Sequence, residues 1–337
     1  MMLMRSQLQD YITQGQQGLN KALPIGINDP TEAFIGILPS HYYLIGADSG
    51  VGKTTFADFN FLLTPYFENK NDEFDVDWFY YSLELGASMK MMSWLNYVIY
   101  KEEGKVIPLT DIAGFKGTKL TEEQLHLIDK YIPTIEALKR NINFSDDTIN
   151  PTGIRAELLN YAKQHGEFIY EKYQNNGITH QKIVDYIPHN PRKRTIIIVD
   201  HVALLGTESG KTTKQLIDLL SEYAVWFRNK CGFTFVIIQQ FSTNLEKASR
   251  SQNRNDLRIV PTKSDFGDST YTYRDADLVV GGTCPAKFEI ASYKGYDINK
   301  YGESLTFWYI IKNRWIGKLK EYPLERQRDL PIMTEPR

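Results

Sequence analysis

The run Ala47-Asp-Ser-Gly-Val-Gly-Lys-Thr54 stands between a short apolar stretch and a helical pattern. A triphosphate cradle needs a chain reversal whose backbone N–H groups converge, which glycine permits, and then a helix N-terminus whose dipole favours negative charge. Gly50 and Gly52 supply the reversal, and a helix starting near Gly52 supplies the dipole. Lys53 is placed to reach the outer phosphates and the Thr54 hydroxyl to ligate Mg2+, while Asp48, Ser49, Val51 and Thr55 complete the loop. One position departs from the G-x-x-x-x-G-K-[ST] spacing: Ala47 holds the first glycine place, and Gly46 just before it is expected to relieve the turn.

A metal shell also needs a carboxylate at the end of a buried strand, and Thr195-Ile-Ile-Ile-Val-Asp200 offers Asp200. The residue after it is His201, so the adjacent glutamate of many ATPases is absent and a water-activating base has to come from elsewhere. The strand ending Phe79-Tyr-Tyr-Ser-Leu-Glu84 delivers Glu84 to the same C-terminal edge of the sheet, where open α/β sheets bind ligands. By spacing alone, Glu84 serves equally as that base or as an acidic start to the next helix.

Positioning these groups requires strands alternating with helices. Apolar runs predict strands at His41–Ile45, Val76–Tyr81, Ile142–Phe144, Thr195–Val199, Phe233–Ile238 and Leu278–Val280. Helical patterns fall from about Gly52, from about Ala87, and at 121–138, 151–164 and 212–230. This alternation implies an α/β fold, a mostly parallel sheet with helices on both faces, closed by an antiparallel pair at Leu305–Ile311 and Ile316–Tyr322. Residues 1–23 read as an N-terminal helical arm, 24–325 as the domain and 326–337 as a tail. Two polar, weakly patterned stretches stand apart, 167–193 as an insertion and 242–274 as a long mobile loop.

The 337 residues, 42% of them hydrophobic, suffice for a sizeable core. With 39 basic and 41 acidic residues the net charge is −2, so any contact with nucleic acid must be local and no anionic membrane is favoured. Cys231 and Cys284 have no paired spacing, which points to buried thiols in a reducing compartment. The sequence shows no signal-peptide pattern and no apolar run long enough to span a bilayer, so a cytoplasmic location is expected.

With these residues in hand, the chain resembles the C-terminal RecA-like ATPase domain of DnaB-type hexameric replicative helicases, from about Gly26 to Leu319. That family's phosphate loop often begins with alanine, as at Ala47. Its second strand ends Ser-Leu-Glu-Met, similar to Ser82-Leu-Glu-Leu85, and the resemblance implies Glu84 as the water-activating base. Asn141 to Arg155, with Asp146-Asp147 and Pro151, is similar to the family's segment before the metal-binding strand. Val236-Ile-Ile-Gln-Gln-Phe241 looks like the strand that makes Gln240 the γ-phosphate sensor, and Ser264-Asp-Phe and Arg274-Asp-Ala-Asp-Leu278 resemble the far half of the following loop. Lys312-Asn-Arg314 matches the Lys-x-Arg element that reaches a neighbouring subunit's site. There are departures: Asp200-His-Val-Ala replaces Asp-Tyr-Leu-Gln, Ser242-Thr243 replaces Asn-Arg, the 167–193 segment is unexpected, and there is no counterpart of the N-terminal helical collar, a shortness compatible with phage-type enzymes.

Within 245–264 lie Lys247, Arg250, Arg254, Arg258 and Lys263 against Glu246 and Asp256. Such a run suits a solvated helix face or a loop tracking a single-stranded backbone, and the resemblance implies the second, a loop lining a hexamer pore. Gly206–Lys214 is a weaker second candidate or an ordinary linker. Arg314 by itself reads as a solvated turn residue or as a finger acting in trans. The resemblance thus implies an ATP- and Mg2+-dependent helicase subunit on single-stranded DNA in a bacterial cell, acting as a homo-hexamer, and the detached helical pattern of residues 3–22 suits an arm that packs on a neighbour. Primase and loader enter only as partner classes. The rival readings are a RecA-like recombinase or accessory ATPase and a slow nucleotide-binding regulatory module.

Overall fold

The runs of β-branched and aromatic residues between turn signals form strands buried on both faces, as the middle of a parallel sheet requires. The computed structural model describes residues 2–69, 73–115, 117–175, 178–242, 259–267 and 270–337. Its strands are β1 Tyr42–Ala47, β2 Asp75–Ser82, β3 Ile142–Ser145, β4 Gly166–Asn175, β5 Ile178–Pro188, β6 Lys193–Asp200, β7 Thr234–Gln240, β8 Leu278–Thr283, β9 Ser292–Tyr293, β10 Tyr296–Asp297, β11 Leu305–Asn313, β12 Glu321–Arg326 and β13 Met333–Thr334. The helices are α1 Met2–Gln16, α2 Lys53–Ala57, α3 Thr64–Phe67, α4 Ala87–Glu103, α5 Leu109–Ile112, α6 Glu122–Arg140, α7 Pro151–His165, α8 Thr213–Cys231, α9 Thr270–Asp275 and α10 Ile298–Tyr301.

A nine-stranded sheet runs β13-β12-β11-β8-β1-β7-β6-β2-β3. The six strands from β8 to β3 are parallel, and β11, β12 and β13 add antiparallel pairs at one edge. One face packs on α2, α4, α6 and the π-helical turn Asp58–Leu63 through Phe56, Trp94, Leu138 and Phe61. The other packs on α7 and α8 through Leu158, Leu220 and Phe227. The expected RecA-like layering is therefore present. Local signals set the helix ends: Thr212 and Gln215 form a capping box at α8, and Gly232 closes it in the left-handed conformation. No helix among the described residues is long and apolar enough to cross a membrane.

Several expectations need correction. The second strand of the terminal pair is β12, Glu321–Arg326, not 316–322. Ile316 and Gly317 belong to a turn in which both amides donate to Asn313, and Trp315 and Leu319 stand exposed, so their apolar character marks no strand. Residues 326–337, read as a tail, pack on the sheet edge: β13 pairs with β12, and Leu330, Ile332 and Met333 are buried. Within 242–274, residues 259–267 are folded, with Ile259, Asp265 and Phe266 buried, and α9 begins at Thr270. Most of 167–193 lies in a two-stranded ribbon, β4 against β5, anchored by Tyr186 and by Phe168 near Trp226.

Gly46 does not make the turn either. It lies inside β1, where an added Cβ would run into the Phe266 ring and sit 2.6 Å from Phe241. Gly46→Ala is accordingly expected to lower stability by about 1–3 kcal/mol through overpacking. A denaturant midpoint equal to that of the wild type would refute this.

Candidate active site

Between β1 and α2 the chain reverses through Gly50 (φ 73°) and Gly52 (φ 103°), both in the left-handed region. Side chains there would also collide, since a Cβ on Gly50 lies 2.6 Å from Lys287 Nζ and one on Gly52 lies 2.7 Å from Arg326 Cδ. It is the positive φ at both positions that favours glycine, since the flexible Lys287 and Arg326 side chains could move aside. Ala47 keeps extended backbone at the strand end and is fully buried, so the first glycine place of the motif needs no special conformation here.

Lys53 opens α2, is 7% exposed and donates to the Asp48 carbonyl at 3.0 Å. Burial lowers its pKa, while the carboxylates of Glu84, Asp200 and Asp48 act in the opposite direction. Thr54 Oγ1 donates to Asp200 Oδ2 at 2.8 Å, so the two residues expected to share a metal shell are brought together from β6 and α2. Asp200 is 1% exposed, and its Oδ1 is buried without a hydrogen-bond partner. A bare buried carboxylate oxygen beside a threonine hydroxyl suits a hard cation that takes its remaining ligands from phosphate and water. The donor set therefore fits Mg2+ with a nucleotide.

Glu84 follows β2, next to β6 in the sheet, with Ser82 in register with Asp200. Its side chain is half exposed, and Oε2 lies 3.7 Å from His201 Nε2. Burial lowers the His201 pKa, while the carboxylates of Glu84 and Asp200 pull it the other way. Sequence reasoning saw His201 only as a missing glutamate, whereas the structure sets it beside the candidate base. Lys287 was missed entirely. It lies in a short turn after β8 and donates to the Ser49 carbonyl.

Gln240 ends β7 in register with Ala47. The chain beyond it is tied to the same place, with Phe241 N donating to Ala47 O at 3.1 Å and Ser242 N to Asp265 O at 3.1 Å. Gln239 faces away, accepting from Thr272 Oγ1 and donating to Phe266 O. Lys263 is exposed in a turn after that segment, its ammonium 5.8 Å from the centre of the Tyr273 ring. Lys247, Arg250, Arg254 and Arg258 lie outside the described residues.

Lys312 and Arg314 are not near this chain's own phosphate loop. The end of β11 pairs with Leu278 at the start of β8, whereas the loop follows the far end of β1. The six residues of β1 separate them by about 17 Å along the strand. Arg314 is held by Asp277 at 3.0 Å and by the Arg274 carbonyl at 2.9 Å, yet its side chain stays 43% exposed. Lys312 donates to the Tyr273 and Arg274 carbonyls, and burial together with Arg314 lowers its pKa to about 8.

No known family profile matches the chain, and no curated protein does. Among solved structures it is similar to one described as an ATPase domain, at a TM-score of 0.66 and 16% identity, the match covering 98% of each chain. It is also similar to a DnaB-like replicative helicase described with its interactions with primase. There the TM-score is 0.64 and the identity 16%, over 94% of this chain and 64% of that one. The fold is that of DnaB-like helicase ATPase domains.

Proposed function

We propose that a chain with this fold is an ATP-hydrolysing DNA helicase subunit of the DnaB type, acting as a homo-hexamer on single-stranded DNA. The observation that carries the reading is the Thr54–Asp200 hydrogen bond, which unites a glycine-turned phosphate loop with a strand-end carboxylate whose second oxygen is bare. Backbone amides of Gly50 to Thr54 and the Lys53 ammonium bind the phosphates. Thr54 and Asp200 would hold Mg2+, which would supply neutralisation of the phosphate charge. Glu84, which lies 3.7 Å from His201, takes the proton of the attacking water.

Lys312 and Arg314 act on a neighbouring subunit's nucleotide, since both lie at the opposite end of the sheet from their own loop. Gln240 senses the γ-phosphate and passes its state to the segment beginning at Ser242, where Lys247, Arg250, Arg254, Arg258 and Lys263 contact the DNA backbone. The exposed Leu8, Tyr11 and Ile12 of α1 favour packing on a neighbour.

Steady-state ATP hydrolysis with and without single-stranded DNA tests this reading. Stimulation that weakens steeply with salt is the expected result, because phosphate-backbone contacts release counterions. Hydrolysis indifferent to DNA would instead favour a regulatory ATPase.

A further inference from the structure

Lys90 is a buried ammonium with two carboxylates around it. It lies on α4, six residues after Glu84, and is 1% exposed. Its Nζ is 3.1 Å from both oxygens of Asp58, 3.4 Å from Asp200 Oδ2, and donates to Tyr80 Oη. Tyr80 Oη in turn donates to Asp58 Oδ1 at 2.6 Å, and Trp94 Nε1 donates to Asp58 Oδ2 at 3.1 Å. Asp58 opens a π-helical segment, Asp58–Leu63, directly after α2, the helix that carries Thr54. The cluster therefore ties together the phosphate-loop helix, the strand that ends in Asp200 and the helix that follows Glu84.

The ammonium has three protons, and Asp58, Tyr80 Oη and Asp200 Oδ2 account for them. Packing alone does not explain this arrangement. A buried ion pair gives up the hydration of both charges, and an apolar pair of similar volume fills such a site at least as well. An apolar pair would, however, bring no donor to Asp200. With Lys90 present, Oδ2 of that carboxylate receives hydrogen bonds from Lys90 and Thr54, with Tyr80 Oη also 3.4 Å away, while Oδ1 stays bare. Donors gathered on one oxygen oppose rotation of the carboxylate and keep the other oxygen presented.

We propose that Lys90, held by Asp58, Tyr80 and Trp94, is a positioning residue that fixes the Asp200 carboxylate for the divalent cation accompanying the nucleotide. The proposal rests on the ATPase reading given above. It assigns Lys90 no contact with nucleotide or DNA.

The test is equilibrium binding of a fluorescent ATP analogue to the full chain as the Mg2+ concentration is varied, with Mn2+ binding followed by electron paramagnetic resonance. Lys90→Met leaves Asp58 stranded, so the decisive variant is Asp58→Asn with Lys90→Met, which removes both charges. Both variants are expected to bind the analogue without Mg2+ as the wild type does. The half-saturating Mg2+ and Mn2+ concentrations should rise about 10- to 100-fold, as for residues that support a metal ligand from behind. A double variant with wild-type metal dependence would overturn the proposal. So would a double variant that unfolds, because Lys90 would then belong to the stability of the core. Wild-type protein that fails to bind the analogue at any Mg2+ concentration would overturn the nucleotide reading, and this proposal with it.

Discussion

Arg314→Ala is expected to lower ATP turnover by about 10³- to 10⁵-fold while leaving nucleotide affinity nearly unchanged, the effect of removing a finger that meets the transferring phosphoryl group only in the transition state. The geometry supports a role in trans, because Arg314 lies just past the end of β11, beside the start of β8 and an entire strand length from its own phosphate loop. Its contacts with Asp277 and the Arg274 carbonyl hold the guanidinium in place while leaving part of it accessible. Truncation should leave the fold intact, since Asp277 keeps Arg228 at 2.8 Å and the Tyr42 amide at 3.0 Å. Mixing provides the control. Arg314→Ala subunits carry an intact pocket and Lys53→Ala subunits an intact finger, so combining two inactive preparations should restore partial turnover. Full activity in Arg314→Ala alone would remove the residue from the mechanism.

Glu84→Gln is the second large effect, a fall of about 10²- to 10⁴-fold in the hydrolytic step with binding retained, the usual scale for loss of a general base. Gln keeps the size and polarity of the side chain but cannot accept a proton. In the structure Glu84 lies beside His201, whose burial disfavours the charged imidazolium next to the carboxylate. Single-turnover phosphate release, paired with equilibrium nucleotide binding, separates chemistry from affinity. Unchanged release would return Glu84 to the plainer role of an acidic residue at the start of α4.

Much of the site was legible because its signals are local. The glycines at 50 and 52, the lysine and threonine after them, and the apolar run ending at Asp200 each announce a turn, a helix start or a strand end from neighbours in sequence. The ribbon of β4 and β5 was harder to read. Ile169, Tyr170, Tyr173, Ile178 and Ile187 are exposed, so no single buried face imposed an alternating pattern, although Asn176-Gly177 between two β-rich runs was a usable hairpin signal. Lys90 could not have been read as buried, because lysine is almost never enclosed without a partner and its partners lie 32 and 110 residues away in sequence.

The sequence by itself determined the alternation of strands and helices and the residues able to hold a nucleotide, because periodicity and turn chemistry depend on near neighbours. Only the tertiary structure decided that His201 faces Glu84, that Asp58 and Lys90 stand behind Asp200, and that Arg314 is carried away from its own phosphate loop. Those pairings follow from the sheet order β1-β7-β6-β2 and from an antiparallel β11, which bring together groups whose charges and donors carry no local sign of their partners.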